Sequence, residues 1–358
     1  MPAPYERLTT EIRHLLGRAV ADGVAPAAGC AVVIAGETLP AVTAGTAAPG
    51  TFFDLASVTK LFSTVTMLSL VDGGLLELDT PVGERLPAYA QGGKAGVTLR
   101  HLLTHTSGLP SEWRGWERTL ARGRSFERIL LIDDLLGTAL EAAPGTRFAY
   151  SCAGFNTAMA LAEHVTAMPW ARLVEDRVLA RLGTDGITGA PDPQRCAPTE
   201  YQPELGRGLV RGIVHDEAAW SLGGLSGNAG MFATAPALAV FGEALRTGLA
   251  GILSAGLADE MWRSQLPEVL GSHFNPADPG FGHGLGLRIN QQPWMGSAGR
   301  DARGHGGFTG TSLLVDKENG ITIALLSNRV SPRRDGDDAT GLRQAVSDVV
   351  YSGRSDFN

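Results

Sequence analysis

The sequence predicts an α/β chain of the α+β kind, with one antiparallel sheet built from both ends of the polypeptide and flanked by helices. A mainly helical region is inserted between the two ends. Three observations predict this. Strand patterns occupy residues 29–44 and return at 284–326, while helical patches separated by Pro- and Gly-rich connections fill the middle. Residues 61–71 are apolar with small hydroxyls and no charge, the composition of a helix buried on most sides. The expected division is 1–75 plus 281–358 for the sheet domain and 76–280 for the helical domain, with an active site in the cleft between them.

The elements follow in order. Leu8, Ile12, Leu15, Leu16 and Val20 recur at helical spacing, so residues 5–22 form an amphipathic helix. Strands at 29–34 and 39–44 are joined by Ala35-Gly36-Glu37-Thr38, a hairpin turn. The helix entered at Ser57 stops at Asp72-Gly73-Gly74, where glycine takes a left-handed cap. Helical patches are expected at 125–136, 157–179 and 236–245, the first closed by Gly137 and the last opened by Pro236. Strands then return at 284–289, 311–315 and 321–326, the last two linked through Glu318-Asn319-Gly320. A helix over 337–351 ends the pattern.

Composition excludes several classes of function. A chain of 358 residues can bury one large core or two unequal ones, and its 47 glycines and 20 prolines follow no period. The net charge of −7, without a basic run, gives nucleic acid nothing to bind. No stretch is apolar enough to span a bilayer, and the first seven residues lack the pattern of a secretory signal. Cys30, Cys152 and Cys196 form neither a Cys-x-x-Cys pair nor an even disulfide set. A soluble cytoplasmic protein is therefore expected. Nothing in the sequence sets an oligomeric state.

The chemistry centres on Ser57-Val58-Thr59-Lys60. A serine and a lysine three apart share one helical face. Burial and the positive helix end would both push the lysine toward a neutral amine able to take the serine proton. The Ser57 backbone N–H would lie at the same helix end as an oxyanion donor. The bland reading of the same residues is a helix N-cap with a snorkelling lysine.

Two more islands bear on this choice. Tyr150, in the stretch Pro144 to Asn156, is either a core ring with a tethered hydroxyl or a phenol aimed at Ser57 beside Lys60. Arg303-Gly304-His305-Gly306-Gly307-Phe308 brings glycines into a strand, which permits close approach of a substrate and offers the Phe308 N–H as a second donor. His305 reads equally as a turn histidine bonded to a carbonyl. Trp113 and Trp116 are candidates to line a pocket or to pack a helix.

Competing motifs fail. Gly-x-Ser-x-Gly and His-Glu-x-x-His do not occur. His215-Asp216-Glu217 lacks a third metal ligand at recognised spacing, and His101 and His105 are explained by a helix end closed by Ser107-Gly108. Gly282-His283-Gly284-Leu285-Gly286 leads into a strand, not the helix a dinucleotide loop requires. No metal and no cofactor is expected.

Together the islands resemble the serine β-lactamase and penicillin-binding-protein superfamily, and within it the class C β-lactamase-like hydrolases that include D-alanyl-D-alanine peptidases and family VIII carboxylesterases. The similarity rests on Ser57-Val58-Thr59-Lys60, Tyr150-Ser151-Cys152 and His305-Gly306-Gly307. It is supported by Leu102 to Leu109, Pro144-Gly145-Thr146, Leu222 to Gly227 and Leu326 to Arg329. The resemblance implies a β-lactamase/transpeptidase-like fold with Ser57 as acylated nucleophile, Lys60 as proton acceptor and Tyr150 as partner base. It also implies an oxyanion hole made by the Ser57 and Phe308 N–H groups. His305, Gly306, Gly307, Cys152 and Trp113 would contact substrate.

Two departures matter. Cys152 stands where the family has asparagine, and His305 where a lysine is usual. Both weaken recognition of amide side chains and carboxylates, so small uncharged esters are the expected substrates. A D-alanyl peptidase, a weak β-lactamase and a non-catalytic binding protein remain as alternatives.

Overall fold

The computed structural model describes residues 3–275, 282–296, 299 and 301–354. Helix α1 (Ala3–Ala21) leads into β1 (Ala27–Ile34), β2 (Glu37–Thr38) and β3 (Val42–Gly45). The β1–β2 turn uses Ala35 and Gly36, both at positive φ (51° and 86°), the geometry that suits a two-residue hairpin. The second expected strand is interrupted at Pro40, which has no N–H to give a ladder, so β2 and β3 pair with β1 separately.

β4 (Phe53–Asp54) precedes helix α2 (Thr59–Asp72), which is entered through a 3-10 turn at Ala56–Val58. Every α2 residue from Thr59 to Leu70 is buried. The hydroxyls survive burial because Thr64 and Thr66 donate to the carbonyls of Lys60 (2.8 Å) and Phe62 (2.9 Å), and Ser63 to that of Gly227 (2.7 Å).

The middle region holds helices Arg128–Leu136, Cys152–Thr166 and Ala235–Arg246. The expected 157–179 helix is broken after Thr166, where Ala167 turns left-handed (φ 53°) and Pro169 starts the next helix. Four short strands also run there: β5 (Ile187–Thr188), β6 (Tyr201–Gln202), β7 (Gly208–Leu209) and β8 (Phe232–Ala233). β8 joins β4 to β5 in a small sheet, too short to leave a periodic signature in the sequence.

The remaining strands are β9 (Gly282–His283), β10 (Arg288–Ile289), β11 (Arg303–Gly306), β12 (Ser312–Asp316) and β13 (Ile321–Ser327). What reads as one strand over 284–289 is a hairpin, because Gly286 takes φ 67° and lies so close to Thr64 that a Cβ would sit 2.1 Å from its Oγ1.

The main sheet is antiparallel in the order β2-β1-β13-β12-β11-β10-β9, with β3 also on β1. Both ends of the chain thus meet in one sheet. One face packs Val32, Ile34, Leu314 and Ile323 against Leu8, Ile12 and Leu16 of α1 and Val346 and Val350 of the terminal helix Thr340–Gly353. The other packs Val33, Leu313, Val315 and Ala324 against α2 and the Ala235–Arg246 helix, with Phe62 stacked on Phe241 at 3.9 Å. Burial on both faces explains why β1, β12 and β13 are continuous apolar runs and not alternating ones. No helix among the described residues is long and apolar enough to cross a membrane.

Candidate active site

Ser57 sits in the 3-10 turn, half-buried, directly after Ala56, which is held at φ 45°. Its side chain caps neither this turn nor α2. It instead accepts a hydrogen bond from Lys60 Nζ at 3.0 Å. Lys60 does not snorkel, being 0% exposed. Its ammonium also donates to the Asn228 carbonyl at 3.2 Å and lies 3.4 Å from Cys152 Sγ.

Tyr150 is brought to the same amine. Lys60 Nζ lies 5.0 Å from its ring centroid. The extended segment that carries it is pinned by backbone bonds. Ala149 N donates to the His105 carbonyl (2.9 Å), Ser151 N to His105 Nδ1 (3.0 Å) and Cys152 N to the Ser111 carbonyl (2.7 Å). Ser151 then caps the Cys152–Thr166 helix by accepting from Gly154 N at 3.0 Å.

Burial is the largest influence on Lys60 and pulls its pKa down. The Cys152 and Tyr150 side chains, followed by Asp216, outweigh it, so the net direction is up from the ordinary lysine value. This corrects the expectation of a neutral resting amine, which weighed burial and the helix end but not the groups that tertiary folding sets around the nitrogen. Cys152 moves up as well, mainly through burial, and is a thiol at neutral pH.

The His305 island closes the other side. Thr309 Oγ1 donates to the Asp54 carbonyl (2.6 Å) and Thr311 Oγ1 to the Leu55 carbonyl (2.9 Å), clipping the turn after β11 onto the residues before Ser57. Phe308 follows Gly307, and among the described residues its N–H meets no protein acceptor. Its ring is half exposed, stacked on His215 at 5.8 Å with the Arg329 guanidinium at 4.2 Å.

Gly307 is required by contact. A Cβ there would lie 2.4 Å from the Leu55 carbonyl oxygen and 2.2 Å from Thr311 Oγ1. Gly307→Ala is therefore expected to push the turn off Ser57 and lower kcat/KM for an ester about 100-fold, since a displacement near 1 Å costs that much. Steady-state kinetics on folded variant would check it.

His305 is 0% exposed, gives Nδ1–H to the Gly306 carbonyl at 2.8 Å, and has its ring centroid 6.0 Å from that of Tyr150. Burial and then Arg288 and Lys60 hold its pKa well below the usual histidine value, so it carries no charge. His305 thus makes the carbonyl bond of the alternative reading, from β11 and not from a turn, while its ring faces Tyr150. Trp113 is packed into the helical core, its indole N–H bonded to Asp134 at 2.7 Å. Trp116 is half-buried on the adjoining helix.

Two groups at this site escape sequence reasoning. Asn228 lies one residue beyond the noted Leu222–Gly227 run. Its N–H donates to Asn156 Oδ1 (3.0 Å) and its amide to Asp216 (3.0 Å), which aims its carbonyl at Lys60. Arg288 places its guanidinium 4.9 Å from the Tyr150 ring centroid, and only the fold of the β9–β10 hairpin brings it there.

The rejected motifs have structural work. His101 Nδ1 accepts from Thr98 N in a capping box. Asp216 caps the Glu217–Ser221 helix, and His215 Nε2 meets Glu200 at 2.9 Å. Among the described residues no group of three or more His, Cys, Asp or Glu is arranged to hold a metal.

Comparison with known proteins agrees with this fold. The sequence profile of the Beta-lactamase family matches residues 12–347. A putative D-alanyl-D-alanine carboxypeptidase of Escherichia coli (strain K12) is 29% identical over 313 residues, covering 79% of this chain and 70% of that protein. EstCE1, a hydrolase with promiscuous acyltransferase activity, superposes with a TM-score of 0.76 at 23% identity, over 97% of this chain and 99% of its own. A beta-lactamase from Mycobacterium bovis gives 0.63 at 26% identity over 94% and 98%. A family VIII carboxylesterase gives 0.72 at 22% identity over 97% of both chains. With the profile spanning nearly the whole sequence, the chain belongs to the Beta-lactamase family, within the serine-hydrolase superfamily of β-lactamases, penicillin-binding proteins and esterases.

Proposed function

We propose that this chain is a carboxylesterase that acylates Ser57 with small, uncharged esters. The observation that carries the reading is the 3.0 Å bond from Lys60 Nζ to Ser57 Oγ, at an amine that also lies 5.0 Å from the Tyr150 ring centroid. The ester carbonyl lodges between the N–H groups of Ser57 and Phe308. Lys60 and Tyr150 act as one base: the pair, holding one proton fewer than an ammonium plus a phenol, takes the Ser57 proton as the nucleophile attacks and returns it to the departing alcohol. Water cleaves the acyl-enzyme by the reverse path. Gly306 and Gly307, which carry the turn to Phe308, form the β11 side of the proposed site, with the buried His305 behind them. A neutral His305 gives a substrate carboxylate no charge to bind, which supports the preference for esters.

A fluorophosphonate label located by peptide mass spectrometry tests the chemistry, with modification expected on Ser57. No label, or a label elsewhere, would leave only a binding protein. Turnover of short-chain aryl esters, D-alanyl-D-alanine peptides and a chromogenic cephalosporin then ranks the substrates. The peptidase reading has one observation in its favour: the Arg288 guanidinium beside Tyr150 is a cation placed for a carboxylate. Peptide turnover exceeding ester turnover would select it.

Cys152 offers a direct probe of side-chain recognition. An amide in place of its thiol can bond both Lys60 and an acyl side-chain amide. Cys152→Asn is thus expected to raise cephalosporin turnover about tenfold, the value of one hydrogen bond near 1.4 kcal/mol. The three cysteines are unpaired, which supports a reducing, cytoplasmic setting as part of this reading.

A further inference from the structure

Asp54 is the buried acid with the most connections to this site that the chemistry above leaves unused. It ends β4, three residues before Ser57, and is 2% exposed. Oδ1 accepts from Ala56 N at 2.8 Å and Oδ2 from His215 N at 2.6 Å, while its carbonyl accepts from Thr309 Oγ1 at 2.6 Å. Each of these bonds leads to a part of the oxyanion hole. The first holds Ala56 at φ 45°, a left-handed geometry that an alanine keeps only where its surroundings impose it. That turn sets the direction of the following peptide, whose N–H belongs to Ser57. The third bond fixes the residue next to Phe308. The second anchors His215, whose ring lies against the Phe308 ring at 5.8 Å and 20°. Its Nε2 is tied to Glu200, itself bonded to Arg334 at 2.7 Å and to Gln202 at 3.0 Å.

We infer that Asp54 is a positioning residue that holds the Ser57 and Phe308 N–H groups at the spacing the tetrahedral intermediate requires. The inference rests on the acyl-transfer reading of Ser57. Asp54 touches no substrate and moves no proton. Its carboxyl oxygens bond two of the segments that converge on the hole, through Ala56 N and His215 N, and its main-chain carbonyl, which substitution keeps, bonds the third at Thr309. Loss of one correctly placed oxyanion donor costs about 10²–10³ in rate, so small displacements of both have a large effect on the transition state and a small one on the bound ester.

Asp54→Ala and Asp54→Asn test this, with kcat normalised to sites titrated by the fluorophosphonate. Three quantities are read: kcat, KM for an aryl ester, and Ki for a phenylboronic acid, whose tetrahedral adduct on serine places an oxygen in the hole. Asp54→Ala is expected to lower kcat per titrated site about 100-fold with KM within about threefold, and to raise the boronate Ki in step. Asp54→Asn, which keeps one acceptor and the side-chain shape, should fall between it and the native protein and carries the test if the alanine variant does not fold. A lowered melting temperature with kcat per site and boronate Ki within about twofold of native would mean that Asp54 only stabilises the fold, and would overturn the inference. If the native protein is not acylated on Ser57, the underlying hydrolase reading fails instead, a different and separable result.

Discussion

Lys60→Met is expected to lower the rate of Ser57 acylation by about four orders of magnitude, the scale seen when one member of a nucleophile–base unit is removed. Methionine matches the lysine stem in length and apolar volume, so packing within α2 is preserved. The ammonium's bonds to Ser57 Oγ and the Asn228 carbonyl disappear, and with them the cation 5.0 Å from the Tyr150 ring centroid. Stability should move the opposite way or not at all. A cation with 0% exposure is costly to bury, and replacing it with an apolar side chain of similar volume is commonly neutral or stabilising. Stopped-flow burst kinetics with an aryl ester, paired with a thermal melt, separates the two effects. A large rate loss with an unchanged or raised melting temperature is the expected pair. A burst rate within tenfold of native would show that Tyr150 accepts the proton without Lys60. A melting temperature lowered by many degrees would show that the cation is structural.

Ser57 and Lys60 were legible because their relation is local: two residues one helical turn apart, at the mouth of an uncharged run. The antiparallel sheet shared by both termini was legible for a similar reason, since β1, β12 and β13 are buried on both faces and read as unbroken apolar segments. Tyr150 is different. Nothing within residues 144–156 distinguishes a core tyrosine from a catalytic one, and only the resemblance across the whole chain singled it out. Asn228, Arg288 and Asp54 left no local signal, because their parts are set by backbone atoms and loops that meet only on folding. The direction of the Lys60 pKa has the same origin: Cys152, Tyr150 and Asp216 arrive from elsewhere in the chain. The break at Ala167 has only Pro169 as its sequence signal, and helical propensity on either side outweighs it.

The histidines around Tyr150 carry a second large expectation, a loss of stability in mild acid. His105, His283 and His305 are each at most 1% exposed, and their rings form a group: His105 lies 4.5 Å from Tyr150 and 5.1 Å from His283. One ring nitrogen of each is already committed in the neutral form. His283 and His305 give Nδ1–H to the carbonyls of Gly284 and Gly306, and His105 accepts the Ser151 N–H. The three Nε2 atoms have no partner among the described residues, so a second proton on His283 or His305 would be buried without an acceptor. Burial is the main cause of the lowered pKa values. His283 is pushed down to about 4, and His105 and His305 lie well below the usual value, with the Lys60 and Arg288 cations adding to the effect on both.

The sign follows from proton binding. The unfolded chain takes up these protons near the ordinary value of 6.5 and the folded chain does not, so unfolding binds protons and acid favours it. Their contribution to stability is complete above about pH 6.5 and is lost as pH falls toward the folded values. Each group that takes up a proton only on unfolding steepens the loss by about 1.4 kcal/mol per pH unit in that window, so three acting in the same direction make acid strongly destabilising. Urea midpoints should be level from pH 8.5 to 7 and fall steeply from 6.5 to 5. His283→Asn, whose amide can replace the Nδ1–H bond to Gly284 but does not titrate, should reduce the steepness by about one proton. Midpoints that stay level down to pH 5 would mean that these imidazoles reach water and titrate normally. Tyr150 would then sit in a wet pocket and not in the dry one that keeps the charge on His305 switched off.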